Sequence, residues 1–219
     1  MRMRKKANLE PRMEACARWQ VADPAALKGN WRSLKPDCAA LWVEVGCGKG
    51  KFTVETAEAN PTVLMIAIER CREAMVMAME KAKAMGLTNV FFVDMDVALM
   101  EGCFDFGEID RLFINFPDPW PRSKNAKRRL TYRTFLRLYS RVLKDGGEIH
   151  FKTDNAKLFE FTLEELELVG LPTQNVTRDL HKDGIVGIMT GYEEKFHALG
   201  TPINRCEIIT HPIMEEKSE

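Results

Sequence analysis

Asp118 lies between two prolines, Pro117 and Pro119, and is followed by Trp120 and a third proline, Pro121. Prolines at alternate positions rule out helix and ladder pairing and hold the backbone extended. Just upstream, Leu112, Phe113, Ile114 and Phe116 form an apolar run of the buried-strand type. The carboxylate and the indole are therefore expected on a stiff platform past a strand's carboxyl end. Arg122, Lys124, Lys127, Arg128 and Arg129 follow, five basic residues within eight. A rigid acid, a flat aromatic and a dense cationic run together suit chemistry on a base within a nucleic acid.

A second constellation lies nearer the amino terminus. A strand over residues 41–45 is expected to run into Glu44-Val45-Gly46-Cys47-Gly48-Lys49-Gly50. Glycines there let the backbone pass close to a ligand. The dinucleotide fingerprint GxGxxG would need glycine at position 51, where the chain has Lys51, so a pyrophosphate-bearing nicotinamide cofactor is excluded. An acid beside such a turn suits a cationic ligand, and S-adenosylmethionine carries ammonium and sulfonium charges. Glu69 comes 19 positions after Gly50, close to the ~20-residue spacing at which nucleotide-binding sheets set an acid on the ribose hydroxyls. Asp94 and Asp96 follow the third expected strand, within reach of an adenine amino group. Each acid alone would pass for a solvated loop residue. Three acids after three successive strands beside this turn favour the cofactor reading.

The elements that must position these residues alternate. Strands are expected at 41–45, 63–68, 90–93, 109–116 and 148–152, with further strand-like residues at 173–177 and 206–210. Helices are expected after Gly50 and over 71–85, 132–143 and 155–169, with residues 144–147 as a turn. The pattern predicts an α/β fold: a Rossmann-like, mostly parallel central sheet with helices on both faces. Ligands of such sheets sit outside the carboxyl ends of the strands. Residues 1–40 are polar and irregular and are expected as an amino-terminal extension that could contact RNA. Residues 41–219 are expected as a single domain.

The 219 residues include 32 Lys+Arg and 32 Asp+Glu, a net charge of zero. A nucleic-acid partner must therefore be argued from local clustering. Cys16, Cys38, Cys47, Cys71, Cys103 and Cys206 form no CxxC pair and no zinc-like grouping with the four histidines. Reduced thiols and no metal are expected. The basic start (Arg2, Arg4, Lys5, Lys6) is not followed by an apolar stretch, and nothing reaches the length of a membrane span. The chain is expected to be cytoplasmic.

With both segments in view, the chain resembles the bacterial tRNA (guanine-N7)-methyltransferases. The resemblance is carried by VEVGCGKGKF, Glu69, NFPDPWPRSKNAKRRL, FKTDN at 151–155 and TGYEEKFHALG at 190–200. It implies methyl transfer from S-adenosyl-L-methionine to N7 of a variable-loop guanine in tRNA, by a monomer or homodimer. Glu44, Gly46, Glu69, Asp96 and Asp118 would hold the cofactor or frame its methyl group, with Asp118 also catalytic. Arg122, Asp154, Thr190, Gly191, Tyr192 and Glu193 would bind the target nucleotide. Lys124, Asn125, Ala126, Lys127, Arg128 and Arg129 would touch RNA. Arg122 stands where lysine is common in the family, and arginine changes the hydrogen-bond geometry while keeping the charge. The nearest rival is an amino-group methyltransferase acting on adenine, which also sets an acid or amide beside proline and an aromatic after the fourth strand. The acid between two prolines, with a basic run next, favours guanine N7.

Several residues carry two readings. Trp120 could stack on the base or lock the proline loop. Glu193 could meet the guanine edge or close a helix-start capping arrangement with Thr190, and Tyr192 could be packing. Met75, Met77, Met79 and Met85 are expected as core filler. The basic run itself could be a solvated face.

Overall fold

A computed structural model of the chain describes residues 8–213. The basic residues Arg2, Arg4, Lys5 and Lys6 lie outside the described residues. Seven strands form one sheet: β1 (Ala40–Val45), β2 (Val63–Ile68), β3 (Val90–Val93), β4 (Ile109–Asn115), β5 (Leu143–Thr153), β6 (Thr173–Thr177) and β7 (Asn204–Ile209). Their spatial order is β3-β2-β1-β4-β5-β7-β6. The first five pair in parallel, and β7 runs antiparallel between β5 and β6. β2, with sequence VLMIAI, is buried at every position, as a strand covered on both faces must be.

Period-2 alternation sorts the strand side chains onto two faces. Leu41, Val43, Val45, Leu112, Ile114, Ile149 and Phe151 form one core. Covering it are α4 (Met100–Cys103), α5 (Arg133–Val142) and α6 (Ala156–Val169), through Met100, Leu136, Tyr139, Leu158 and Phe159. Met65, Ala67, Phe92 and Phe113 face the other way. They pack against α1 (Leu9–Glu14), α2 (Lys51–Ala59) and α3 (Arg72–Ala84) through Met13, Phe52, Met75, Val76 and Met79. The helix ends follow local chemistry. The Asn155 side chain accepts from the Leu158 N–H at the start of α6, and Gly170 closes it in the left-handed region.

Three expectations change in detail. Residues 144–147 form a bulge inside β5: Ile109 faces Leu143, and the pairing resumes with Arg111 opposite Glu148. Gly146 N–H and Gly147 C=O both pair with Thr210 at 2.8 Å, so the strand continues through the expected turn. β4 stops at Asn115 because Phe116 turns to φ 51°. Met75 and Met79 are core residues, whereas Met85, just past the end of α3, is exposed. The segment before β1 is anchored. Trp31 is wholly buried and donates its indole N–H to Cys103 C=O at 2.7 Å, and Arg12 pairs with Glu80 at 2.6 Å. All six cysteines are free thiols. Among the described residues no helix is long and apolar enough to cross a membrane.

Candidate active site

Strand order reverses beside β1, which lies between β2 and β4, and the crevice at such a switch point is where ligands of open α/β sheets bind. The glycine turn leaves β1 there. Gly46 N–H donates to Ile68 C=O at 2.8 Å, and Gly48 N–H donates to the Glu69 carboxylate at 2.9 Å. Gly46 (φ 74°) and Gly48 (φ 56°) are left-handed, and a Cβ on either would meet nothing within 4 Å. That open space beside the backbone fits a ligand passing against the turn. Gly50 differs, since a Cβ there would sit 2.3 Å from the Ala78 Cβ. Its glycine lets α2 approach α3.

Glu44, at the end of β1, is 2% exposed. It accepts from the Thr53 hydroxyl and, at 3.0 Å, from the Asn115 amide. Burial raises its carboxyl above the ordinary value, opposed by those two hydrogen bonds and by the Lys152 charge. Glu69 braces the turn, with its second oxygen accepting from Cys71 N–H at 2.8 Å. Asp96 is exposed and caps the following turn by accepting from Ala98 N–H at 3.0 Å. Half-buried Glu69 and exposed Asp96 at successive strand ends, with the open glycine backbone, fit a ligand bearing ribose hydroxyls and an adenine amino group.

The proline platform is held at both ends. Phe116 (φ 51°) and Trp120 (φ 42°) sit in the left-handed region, which bulky residues occupy only when their surroundings enforce it. Phe116 N–H donates to Lys152 C=O at 2.9 Å, and its ring stacks on Phe196 with centroids 6.0 Å apart. The Arg129 guanidinium donates to the carbonyls of Pro119 and Trp120, both at 3.1 Å. Arg128 lies 4.0 Å over the Trp120 ring. Trp120 is thus half-buried with one face already covered, whereas Asp118 is exposed and has no side-chain partner among the described residues. Asp154 follows the neighbouring strand, β5, and also has no side-chain partner among them.

The structure therefore divides the basic run. Arg122, Lys124 and Lys127 are exposed and have no side-chain partner among the described residues, while Arg128 and Arg129 hold the loop. Asn125 and Ala126 are half-buried in a 3₁₀ turn, Ser123–Arg128.

Thr190 and Glu193 form a capping box at the start of α7 (Gly191–Ala198). Gly191 and Tyr192 are exposed. The Glu193 carboxylate is wholly buried. One oxygen accepts from Lys152 Nζ at 2.7 Å and Thr190 N–H at 3.1 Å, and the other pairs with His181 Nε2 at 2.9 Å. Sequence reasoning missed Lys152 and His181. The available signal was a lysine inside an expected strand, and the structure buries it together with Phe151 and Thr153. Burial lowers the Lys152 ammonium below the usual lysine value, opposed chiefly by Glu193. A cavity of ≈ 330 Å³ lined by Arg18, Trp19, Lys35 and Phe91 lies towards the amino-terminal end of β3, away from this crevice.

The family described as "Putative methyltransferase" matches residues 39–206. The chain is 41% identical over 213 residues to the tRNA (guanine-N(7)-)-methyltransferase of Geobacillus kaustophilus (strain HTA426), covering 97% of this chain and 98% of the relative. The protein of that name from Halalkalibacterium halodurans is 47% identical over 188 residues, covering 85% and 86%. The Bacillus subtilis (strain 168) protein is 41% identical over 209 residues, covering 95% and 98%. Among solved structures, the 16S rRNA methyltransferase KamB superposes with a TM-score of 0.65 at 16% identity, covering 84% of this chain and 94% of that one. A precorrin-6y C5,15-methyltransferase from Geobacter metallireducens gives 0.54 at 17% identity, covering 83% and 85%. At those identities the likeness is one of fold. With relatives of 41–47% identity spanning 85–97% of the chain, added to the glycine turn with its acids and the proline-flanked Asp118 described above, the chain belongs to the bacterial tRNA (guanine-N(7)-)-methyltransferase family.

Proposed function

We propose that this chain transfers the methyl group of S-adenosylmethionine to N7 of a guanine in the variable loop of tRNA, in the cytoplasm, as a monomer or homodimer. The supporting observation is Asp118, exposed and unpartnered among the described residues on a platform whose two ends are forced into left-handed conformations. S-adenosylmethionine, when bound, supplies an electrophilic methyl on a sulfonium. Glu44, the Gly46 backbone, Glu69 and Asp96 would hold it.

Guanine N7 carries a free lone pair and no proton, so no base need remove one first. The task left to the protein is positioning. Asp118 and Asp154 stand beyond the ends of the adjacent strands β4 and β5, where Asn115 is paired with Lys152. Their carboxylates would accept the N1 and N2 hydrogens of the base and stabilise the positive charge that develops on the purine. Thr190, Gly191 and Tyr192 would flank the nucleotide, with Glu193 held inside beneath them, and Arg122 would meet a phosphate or the base edge. Lys124 and Lys127 would track the RNA backbone. No step calls for a metal. The relatives' names carry the guanine-N7 activity, which favours this reading over amino-group transfer to adenine.

The test is Asp118→Asn in the methylation of bulk tRNA. Transfer should fall by ~10²–10³-fold, the usual loss for one preorganised group that stabilises developing charge, while the folded protein still binds S-adenosylmethionine. Near-normal turnover in the folded variant would overturn the assignment.

A further inference from the structure

Glu193 draws together three separate parts of the chain. Its carboxylate takes Lys152 Nζ from β5, the Thr190 N–H from its own helix start, and His181 Nε2 from the segment before α7. His181 Nδ1 accepts from Val186 N–H at 3.2 Å, which leaves the ring proton on Nε2 to be donated to Glu193. Lys152 Nζ also reaches Ile188 C=O at 3.3 Å and lies 5.3 Å over the Phe52 ring. The stretch between β6 and α7 contains no regular helix or strand, and Ile185 and Val186 are exposed. With little apolar burial of its own, that stretch depends on polar anchors for a single conformation.

We infer that Lys152, Glu193 and His181 form a buried latch that positions residues 186–196 against the Asp118 loop. They act as positioning residues for methyl transfer, not as contacts to the guanine. Three observations carry this. The Glu193 and His181 side chains are 0% and 3% exposed and pair with each other at 2.9 Å. Lys152 precedes Asp154 by two residues, and its carbonyl receives the Phe116 N–H. α7 delivers Phe196 onto Phe116, immediately before Pro117 and Asp118. One carboxylate thus ties together the strand end bearing Asp154, the helix start bearing Thr190 and Tyr192, and, through Phe196, the platform bearing Asp118. Buried polar networks of this kind fix one arrangement when every member is satisfied.

The inference rests on the proposed methylation of tRNA, and its test separates the two. Full-length wild type, His181→Ala, His181→Gln and Lys152→Met are compared by tRNA methylation kinetics, S-adenosylmethionine calorimetry and amide hydrogen exchange. In His181→Ala, kcat should fall at least tenfold while S-adenosylmethionine affinity stays within about twofold. Exchange should rise in residues 186–196 and stay unchanged in β1 and β4. His181→Gln, which keeps a donor near the Nε2 position, should recover most of kcat. Lys152→Met, if folded, should repeat the His181→Ala pattern. Wild-type kcat and exchange in folded His181→Ala would overturn the latch. Exchange rising throughout the core would also overturn it, by marking a general loss of stability. If the wild type fails to methylate tRNA, the functional reading falls and the exchange pattern still decides the latch.

Discussion

Arg129 donates its Nε–H to the Pro119 carbonyl at 3.1 Å, so a cation ten residues downstream fixes the backbone next to Asp118. The same guanidinium reaches Trp120 C=O and lies 4.1 Å over the Phe161 ring, tying the platform to α6. A proline loop has few N–H groups with which to tether itself, so its carbonyls become the handles. The fork of donors on arginine suits two adjacent carbonyls in a way a lysine ammonium would not.

Arg129→Ala and the double substitution of Lys124 and Lys127 by alanine should therefore have opposite signatures. The first should lower kcat, on the order of 10²-fold if the carboxylate shifts by ~1 Å, with little change in the salt dependence of tRNA binding. The second should weaken tRNA binding and make the slope of log K against log salt shallower by roughly 1–2 units, at ~0.7–0.9 for each phosphate no longer neutralised. Filter binding across a salt series, paired with single-turnover rates, separates them. Equal slopes in wild type and the double variant would assign Lys124 and Lys127 to a solvated face.

Gly46→Ala and Gly50→Ala place the same methyl group at left-handed positions, each costing about 1–2 kcal/mol of backbone strain. Beside Gly46 the space is open, so that variant should fold yet lose S-adenosylmethionine affinity. At Gly50 the methyl would meet Ala78 at 2.3 Å, so stability should fall well beyond the strain alone as α2 is pushed off α3. Urea unfolding and calorimetry of the two variants measure both effects. Unchanged cofactor affinity in Gly46→Ala would place the ligand elsewhere.

Asp110 gives a pH prediction. Burial alone would raise its carboxyl. Hydrogen bonds from Lys144 (2.8 Å) and Leu41 N–H (2.7 Å), with the Arg32 charge, outweigh burial and hold it below the ordinary value. A depressed folded value means the stabilisation is complete above the unfolded carboxyl value, ~3.9, and is lost as pH falls through the folded value. Asp110→Asn should thus be less stable than wild type near neutral pH, by about 1.5–3 kcal/mol for charged hydrogen bonds. The gap should narrow progressively below about pH 4. Urea titrations from pH 7 to pH 3 check this, and a gap that widens in acid would contradict it.

The strands and both halves of the crevice were legible because they rest on local signals: the apolar runs at 63–68 and 112–116, the glycine turn, and acids just past strand ends. The Thr190–Glu193 capping box was also readable, as one of two meanings of T-x-x-E. What could not be read was long-range pairing. That Arg128 and Arg129 engage the loop while Lys124 and Lys127 are left without a side-chain partner among the described residues depends on Trp120 and Phe161 lying within 4.0 and 4.1 Å of the two guanidinium groups, and no spacing rule encodes that. Likewise, burial of Glu193 needs Lys152, 41 residues away, and His181. Prolines alone suggested an extended loop. The left-handed turns at Phe116 and Trp120 come from its anchoring.

The identity of the methylated nucleoside decides the proposed activity. Bulk tRNA is incubated with the full-length protein and methyl-labelled S-adenosylmethionine, then digested and separated. Label is expected in 7-methylguanosine, and none when the guanines of a transcript are replaced by 7-deazaguanine, which lacks the acceptor nitrogen. Label in a methylated adenosine, or in the 7-deaza transcript, would contradict it.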